Sequence, residues 1–232
     1  MDMKKILALI GVLIFGAGIA LAMTPAASVS ALDLQRWIGN ATASADVTEG
    51  GNVTYLNISG ASLTDKWAAY YGNVTGSIVL KADNDSASVN VYTWAWPNTT
   101  VNGSVCASPG NAFNFDGALV ATGANVDTAY AYNAADADTG AKTFTGNCSF
   151  TFARANVTDT GMADTGGSPY QTCVVRDDAV TTTEDDVNLA YCTKLAAGTN
   201  YKLDSVMYEM IVPTGQGGAG VTESYYFYIE LR

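Results

Sequence analysis

The chain contains no histidine. That absence removes Ser-His-Asp and Cys-His nucleophilic sites, His-ligated zinc or iron, and bis-His haem, because each needs an imidazole as base or ligand. Cations are scarce as well: 11 Lys and Arg stand against 22 Asp and Glu, giving a net charge of −11 and a pI near 4.2. The few basic residues are scattered, so nucleic acid finds no basic face to bind and is not expected as a partner. The cysteines form no Cys-x-x-Cys pair, which takes away the usual signature of structural zinc, thiol redox chemistry and covalent haem. Only 14% of residues are charged and only 5 are proline. No proline-rich linker divides the chain and no repeat of fixed period runs through it, which argues for one folded domain. What these absences leave points away from an enzyme and indicates no cofactor, with calcium as the one candidate ion.

What is present begins with an address. Lys4 and Lys5 precede an uncharged stretch from Ile6 to Met23, and Ala20-Leu21-Ala22 supplies the small residues that a signal peptidase reads. Residues 1–22 therefore read as a secretory signal peptide. The apolar run is close to the roughly 20 residues that span a bilayer, so a retained anchor, the only route to a membrane, stays open. A pilin-type signal fits less well, because Ile6 follows Lys5 with no small residue between them. Asn-x-Ser/Thr acceptors at Asn40, Asn52, Asn57, Asn73, Asn84, Asn98, Asn102, Asn147 and Asn156 agree with export and with a glycoprotein. An even number of cysteines in an exported chain reads as two disulfides. Of the three pairings of Cys106, Cys148, Cys173 and Cys192, sequence neighbourhood favours Cys106 with Cys148 and Cys173 with Cys192.

Residues 23–50 are small and polar apart from Leu32 to Ile38 and read as an extended tether; residues 51–232 read as the folded domain. Strand-length, β-rich runs occur at Val53 to Ser59, Ser77 to Ala82, Ser88 to Trp96, Ala118 to Thr122, Cys148 to Arg154, Gln171 to Arg176, Leu203 to Val212 and Glu223 to Leu231. The last run places Tyr225, Phe227, Ile229 and Leu231 on one side and Tyr226, Tyr228 and Glu230 on the other. With apolar or aromatic groups on both sides, it is expected to be a central strand or one that awaits a covering partner. Helical periodicity is limited to Val126 to Ala135, with Asp127 near its start. The pattern predicts an all-β, antiparallel β-sandwich, Ig-like or jelly-roll-like, behind the hydrophobic N-terminal helix.

Leu195, Gly198-Thr199, Tyr201 and Leu203 resemble the leucine, glycine-threonine, tyrosine turn that leads into the penultimate strand of fibronectin type III-like domains. The resemblance implies a tyrosine hydroxyl that pins a corner between sheets. Leu203 to Val212, the loop Thr214 to Gly220 and Glu223 to Leu231 read as a closing hairpin, which suits such a fold.

The most distinctive stretch is Trp67-Ala68-Ala69-Tyr70-Tyr71-Gly72-Asn73-Val74, followed by Ile78-Val79-Leu80 and the tryptophan-bearing run with Trp94 and Trp96. It resembles a Trp-Ala-x-Tyr-Tyr-Gly-Asn-Val signature of archaeal secreted and cell-surface proteins of largely uncharacterised function. The resemblance implies a location and an origin, and carries no catalytic residue with it. Physically, Trp67, Tyr70, Tyr71, Trp94 and Trp96 suit either core packing or an aromatic platform for sugar rings. Oxygen-rich loops offer weak calcium candidates: Asp83 and Asp85, Asp136 and Asp138, and Asp177 and Asp178 with Asp185 and Asp186. None completes an EF-hand pattern.

Three functional classes follow. A secreted, glycosylated structural protein of the cell surface, associating with itself or with other surface proteins into a layer, matrix or filament, suits the low charge and the doubly apolar last strand. In that reading residues 24 to 50 donate a strand to a neighbour. A carbohydrate-binding or adhesive module is the alternative. A hydrolase working through two carboxylates ranks last, since nothing singles out a pair of acids.

Overall fold

Strands with both faces buried organise this protein. The computed structural model describes residues 23–26, 28–30, 50, 53, 63–81, 88–94, 103–152, 155–164, 170–177, 185–215 and 222–232. The strands are β1 Thr24–Pro25, β2 Trp67–Gly72, β3 Gly76–Lys81, β4 Ser88–Trp94, β5 Gly103–Ser108, β6 Leu119–Val120, β7 Gly146–Thr151, β8 Asn156–Asp164, β9 Gln171–Arg176, β10 Leu189–Lys194, β11 Gly198–Thr199, β12 Ser205–Val206, β13 Tyr208–Pro213 and β14 Tyr226–Leu231. Two short helices, α1 Gly123–Ala129 and α2 Gly140–Thr143, join them.

The result is an all-β, antiparallel sandwich. Its main sheet runs β1-β14-β5-β10-β9-β8-β7, with β6 pairing the part of β9 that β8 leaves free. Alternation along the central strands feeds two cores. Val105, Ala107, Val174, Leu189 and Tyr191 face a layer made by the β2–β13 ribbon and the helices, where Val126, Phe144, Met210 and Val212 are buried. Cys106, Cys173, Val175, Ala190, Cys192 and Tyr228 face the opposite way, onto Met23, Phe113, Phe115, Phe150 and Phe152. Each such large apolar side chain contributes roughly 1.5–3 kcal/mol when fully buried.

Strand β14 lies between β1 and β5, in keeping with its two apolar faces. It does not form a hairpin with β13. That strand pairs with β2 in the other layer, so the chain crosses from one sheet to the other between them. The tethering hydrogen bond runs from the Tyr225 hydroxyl to the Pro213 carbonyl at 2.6 Å. The start of the expected tether also proves to be part of the fold. Thr24 and Pro25 pair with Ile229 and Tyr228, and Ala26 N–H donates to the Phe227 carbonyl at 2.9 Å. Proline is tolerated there because β1 is an edge strand, and it removes a donor from the open side of the sheet.

The disulfides are Cys106–Cys192 and Cys148–Cys173, correcting the pairing expected from sequence neighbourhood. Sheet order explains the difference. Cys192 stands opposite Cys106 on one side and Cys173 on the other, whereas Cys148 sits on β7 at the far edge and cannot reach Cys106 on β5. Once Cys148 takes Cys173 across β8, Cys192 is left to Cys106.

The helix starts earlier than its periodicity suggests, because Thr122 N–H donates to Asn125 Oδ1 at 2.6 Å and sets the first turn. It ends before Ala131, whose φ of 49° is left-handed. Asp127 caps the other helix, accepting from the Gly140 and Ala141 amides.

The tyrosine corner is also corrected. Tyr201 is 57% exposed and packs edge-on against Tyr71. Tyr170, buried at the start of β9, does the pinning instead: its hydroxyl meets the carbonyls of Ala196 and Val206 on either side of the turn. The signal at 1–22, the apolar stretch Leu32 to Ile38 and all but the first residue of the Val53 to Ser59 run lie outside the described residues.

Candidate assembly surface

The stretch Ser77 to Trp94 is rich in β-branched and aromatic residues and forms a hairpin, β3 with β4, that is hydrogen-bonded only to itself among the described residues. A two-stranded ribbon is marginal alone and needs an apolar face covered. Here the described apolar side chains, Val79, Leu80, Val89 and Val91, are exposed. Leu80 and Val89 stand directly opposite one another and are 68% and 67% exposed. Val91, left over where the register shifts between Ile78 and Val79, is 60% exposed.

The base of this hairpin rests on the end of β14. Gly76 meets the Leu231 side chain so closely that a Cβ at that position would collide with it. Beside this contact runs an open groove of about 480 Å³, with Val29, Asn73, Gly76, Phe227, Ile229 and Leu231 among its lining residues. The groove therefore joins the edge strand β1, the β2–β3 connection and the hairpin at one end of the sandwich. Isolated exposed apolar residues are ordinary; a cross-strand pair on a ribbon that is hydrogen-bonded only to itself among the described residues, beside a groove, is a candidate contact surface.

The aromatic residues divide into two groups. Trp67 packs on Tyr132 and Phe144, with centroids 6.0 Å and 5.8 Å away, and its indole N–H donates to the Asp138 carbonyl at 2.7 Å. Tyr70 packs on Phe227 and Tyr225. These two serve the core. Tyr71 stands apart with Tyr201, and the Lys202 ammonium lies over both rings at 6.0 Å and 5.8 Å. For Trp94 only the backbone, in β4, is described, and Trp96 lies outside the described residues.

The acids are occupied by the protein itself. Lys66 Nζ lies 2.8 Å from Asp136 and 2.6 Å from Asp138, and Thr64 donates to the same Asp138 carboxylate at 2.7 Å. Those bonds hold the Asp138 carboxyl below its usual range and raise the Lys66 ammonium. An ammonium thus sits where this pair would have held a cation. Asp177 accepts from the Asn114 amide at 2.9 Å. Asp185 and Asp186 accept from the amides of Asp186 and Val187. Burial, reinforced by a hydrogen bond with Asp185, pushes the Asp186 carboxyl up to about 6. Among the described residues no three metal-ligating side chains are gathered. Asp83, Asp85 and Asp178 lie outside them.

Asn73, Asn147 and Asn156 are exposed, on the β2–β3 connection, β7 and β8. The acceptors at Asn40, Asn52, Asn57, Asn84, Asn98 and Asn102 lie outside the described residues. The hairpin's strands were legible from sequence, but its outward apolar pair was not, since period two does not tell an inner face from an outer one. No protein-family model matches the chain, and neither a curated protein nor a solved structure matches it.

Proposed function

We propose that this is a secreted, glycosylated structural protein of the cell surface that associates with further copies of itself into an extracellular layer, matrix or filament. The observation that carries the reading is the outward-facing Leu80–Val89 pair on a ribbon that nothing else in the chain's described residues covers. A second copy is the occupant that fits, because the same end of the sandwich supplies both a ridge with exposed apolar side chains, the hairpin, and a groove of mixed polar and apolar lining beside it. Pro25 blunts the β1 edge, so the contact is side chain on side chain at the hairpin rather than strand addition beside β1. This moves the interface away from the strand donation expected of residues 24 to 50.

Two disulfides suit an oxidising compartment, and the exposed Asn73, Asn147 and Asn156 suit glycan attachment. The likeness of residues 67–74 to archaeal surface proteins agrees with both. The testing variant is Leu80→Glu with Val89→Glu, which places like charges opposite one another on exposed positions. The wild-type exported protein should elute as large species and give ordered assemblies in negative stain. The variant should elute as a folded monomer with an unchanged circular-dichroism spectrum. Assemblies of unchanged size and order in the variant would remove this interface.

One observation favours a second, adhesive reading: Tyr71, Tyr201 and Lys202 form an aromatic platform at the surface. A glycan array probed with wild type and Tyr71→Ala/Tyr201→Ala separates the two, since binding lost in the variant supports adhesion and silence in both supports structure alone.

A further inference from the structure

We infer that the chain is cut between Ala22 and Met23 and that the new α-ammonium of Met23 pairs with the buried carboxylate of Glu230. The inference rests on reading residues 1–22 as an export signal, and it assigns both the scissile bond and a role for the terminus that cutting creates.

The structural observation is Glu230. It lies on β14 with its side chain only 4% exposed, and Arg232 meets one carboxylate oxygen at 3.1 Å. The other oxygen, Oε2, is buried and has no hydrogen-bond partner among the described residues. A buried carboxyl oxygen without a partner is costly, so it points to a donor that arrives from elsewhere.

The register places residue 23 directly opposite Glu230. Thr24 is opposite Ile229 and Pro25 opposite Tyr228, and the Ala26 N–H bonds to the Phe227 carbonyl. Ala26 and Phe227 therefore form a hydrogen-bonded pair. The alternation of an antiparallel ladder makes Thr24 with Ile229 another, and Met23 with Glu230 a closer, non-hydrogen-bonded pair with Cα atoms about 4.5 Å apart. Directly opposed residues point to the same face. Met23 obeys this: its side chain is buried in the core that also holds Tyr228, and its sulfur lies 3.6 Å from that of Cys106. Residue 23 is thus anchored on Glu230's side of the sheet, with its nitrogen at the start of the strand.

In the uncut chain that nitrogen is a neutral amide. After hydrolysis of the Ala22–Met23 bond, in which water adds to the Ala22 carbonyl and the amine leaves, it is an ammonium with three donors. The residues before the bond, Ala20-Leu21-Ala22, have the small-x-small form that a signal peptidase accepts. Processing would then do two things at once, releasing the protein and completing an Arg232–Glu230–ammonium cluster that locks β1 onto the sheet.

The test uses the exported full chain, purified with its disulfides intact. Intact mass and N-terminal sequencing give the first residue, and NMR of the reductively ¹³C-methylated amine follows its titration. The expected result is a first residue of Met23 and an α-amine titrating about one pH unit above the ordinary α-amino range. That elevation should vanish in the isosteric Glu230→Gln. Arg232→Gln, which removes the competing cation, should raise the amine further and covers the case in which Glu230→Gln does not fold. A different first residue overturns the cleavage site and leaves the assembly reading untouched. A Met23 start whose amine titrates identically in wild type and in the variants overturns the pairing and leaves the export reading standing.

Discussion

Replacing Cys106 and Cys192 with alanine opens a covalent loop with a sequence separation of 86, whereas replacing Cys148 and Cys173 opens one of 25. The chain-entropy relation for cross-links gives about 4.5 kcal/mol for the longer loop and about 3.5 kcal/mol for the shorter at 25 °C. Against a typical domain stability of about 5–15 kcal/mol, either loss is large, and the two together approach the whole. The central bridge also carries a packing penalty, since both of its cysteines are completely buried. Cys148 is only partly buried, at the far edge of the sheet, so its replacement disturbs less. The Cys106/Cys192 variant should therefore lose more stability than the Cys148/Cys173 variant in guanidinium titrations followed by tryptophan fluorescence. Peptide mapping of the wild type without reductant should recover the fragment pairs 106–192 and 148–173. Recovery of 106–148, or a larger loss from the shorter loop, would refute the sheet order from which the pairing follows.

Gly123 and Gly140 let the two short helices touch backbone to backbone; a Cβ on Gly123 would run into the Gly140 carbonyl and lie 2.7 Å from Ala141 Cα. Gly123→Ala should cost about 1–3 kcal/mol by overpacking, read from urea midpoints, and a neutral result would mean the helices separate readily. Tyr170→Phe removes the hydroxyl shared by the Ala196 and Val206 carbonyls and should cost about 1–3 kcal/mol, with faster amide exchange in the turn from Leu195 to Met207 as the specific readout. Exchange unchanged there would deny Tyr170 its corner role. Acid pH acts in two opposite ways. Asp186, raised from 3.8 to about 6, favours folding when protonated, so its contribution is present below its ordinary value and lost as pH rises through about 6. Asp138, lowered by Lys66, contributes above the ordinary carboxylate range and loses that contribution as pH falls through its lowered value. The melting temperature of the wild type should thus decline between about pH 4 and pH 7 relative to Asp186→Asn, and parallel profiles would contradict the partial burial of Asp186.

Strands with one clear turn on each side were legible in the sequence: Gln171–Arg176 has the bounds that composition indicated, β4 and β14 lie inside their expected runs, and β3 and β13 each overrun theirs by one residue, at Gly76 and Pro213. Gly103–Ser108 and Leu189–Lys194 were not legible, because strands covered on both faces carry small and apolar residues without alternation. Trp67–Gly72 hid for a different reason, since its bulky aromatic residues suggested a cluster when they in fact line a ribbon against the core. Connectivity was beyond reach in both instances where it mattered. The β13–β14 crossover and the disulfide pairing depend on which strands neighbour each other in space, and local periodicity holds no such information. At the candidate surface, the apolar residues of the hairpin could be named, but their outward exposure goes with a ribbon that, among the described residues, is hydrogen-bonded to neither layer. The buried Glu230 looked like one more polar residue on an alternating strand, and only the register with β1 gives it a counterpart.

The central claim, a surface protein that builds an array from copies of itself, is tested most directly by negative-stain imaging of material sheared from the producing cells, with this chain located by antibody. The account predicts filaments or lattices labelled along their whole length. Label confined to dispersed single particles, with unlabelled arrays or none, would contradict it.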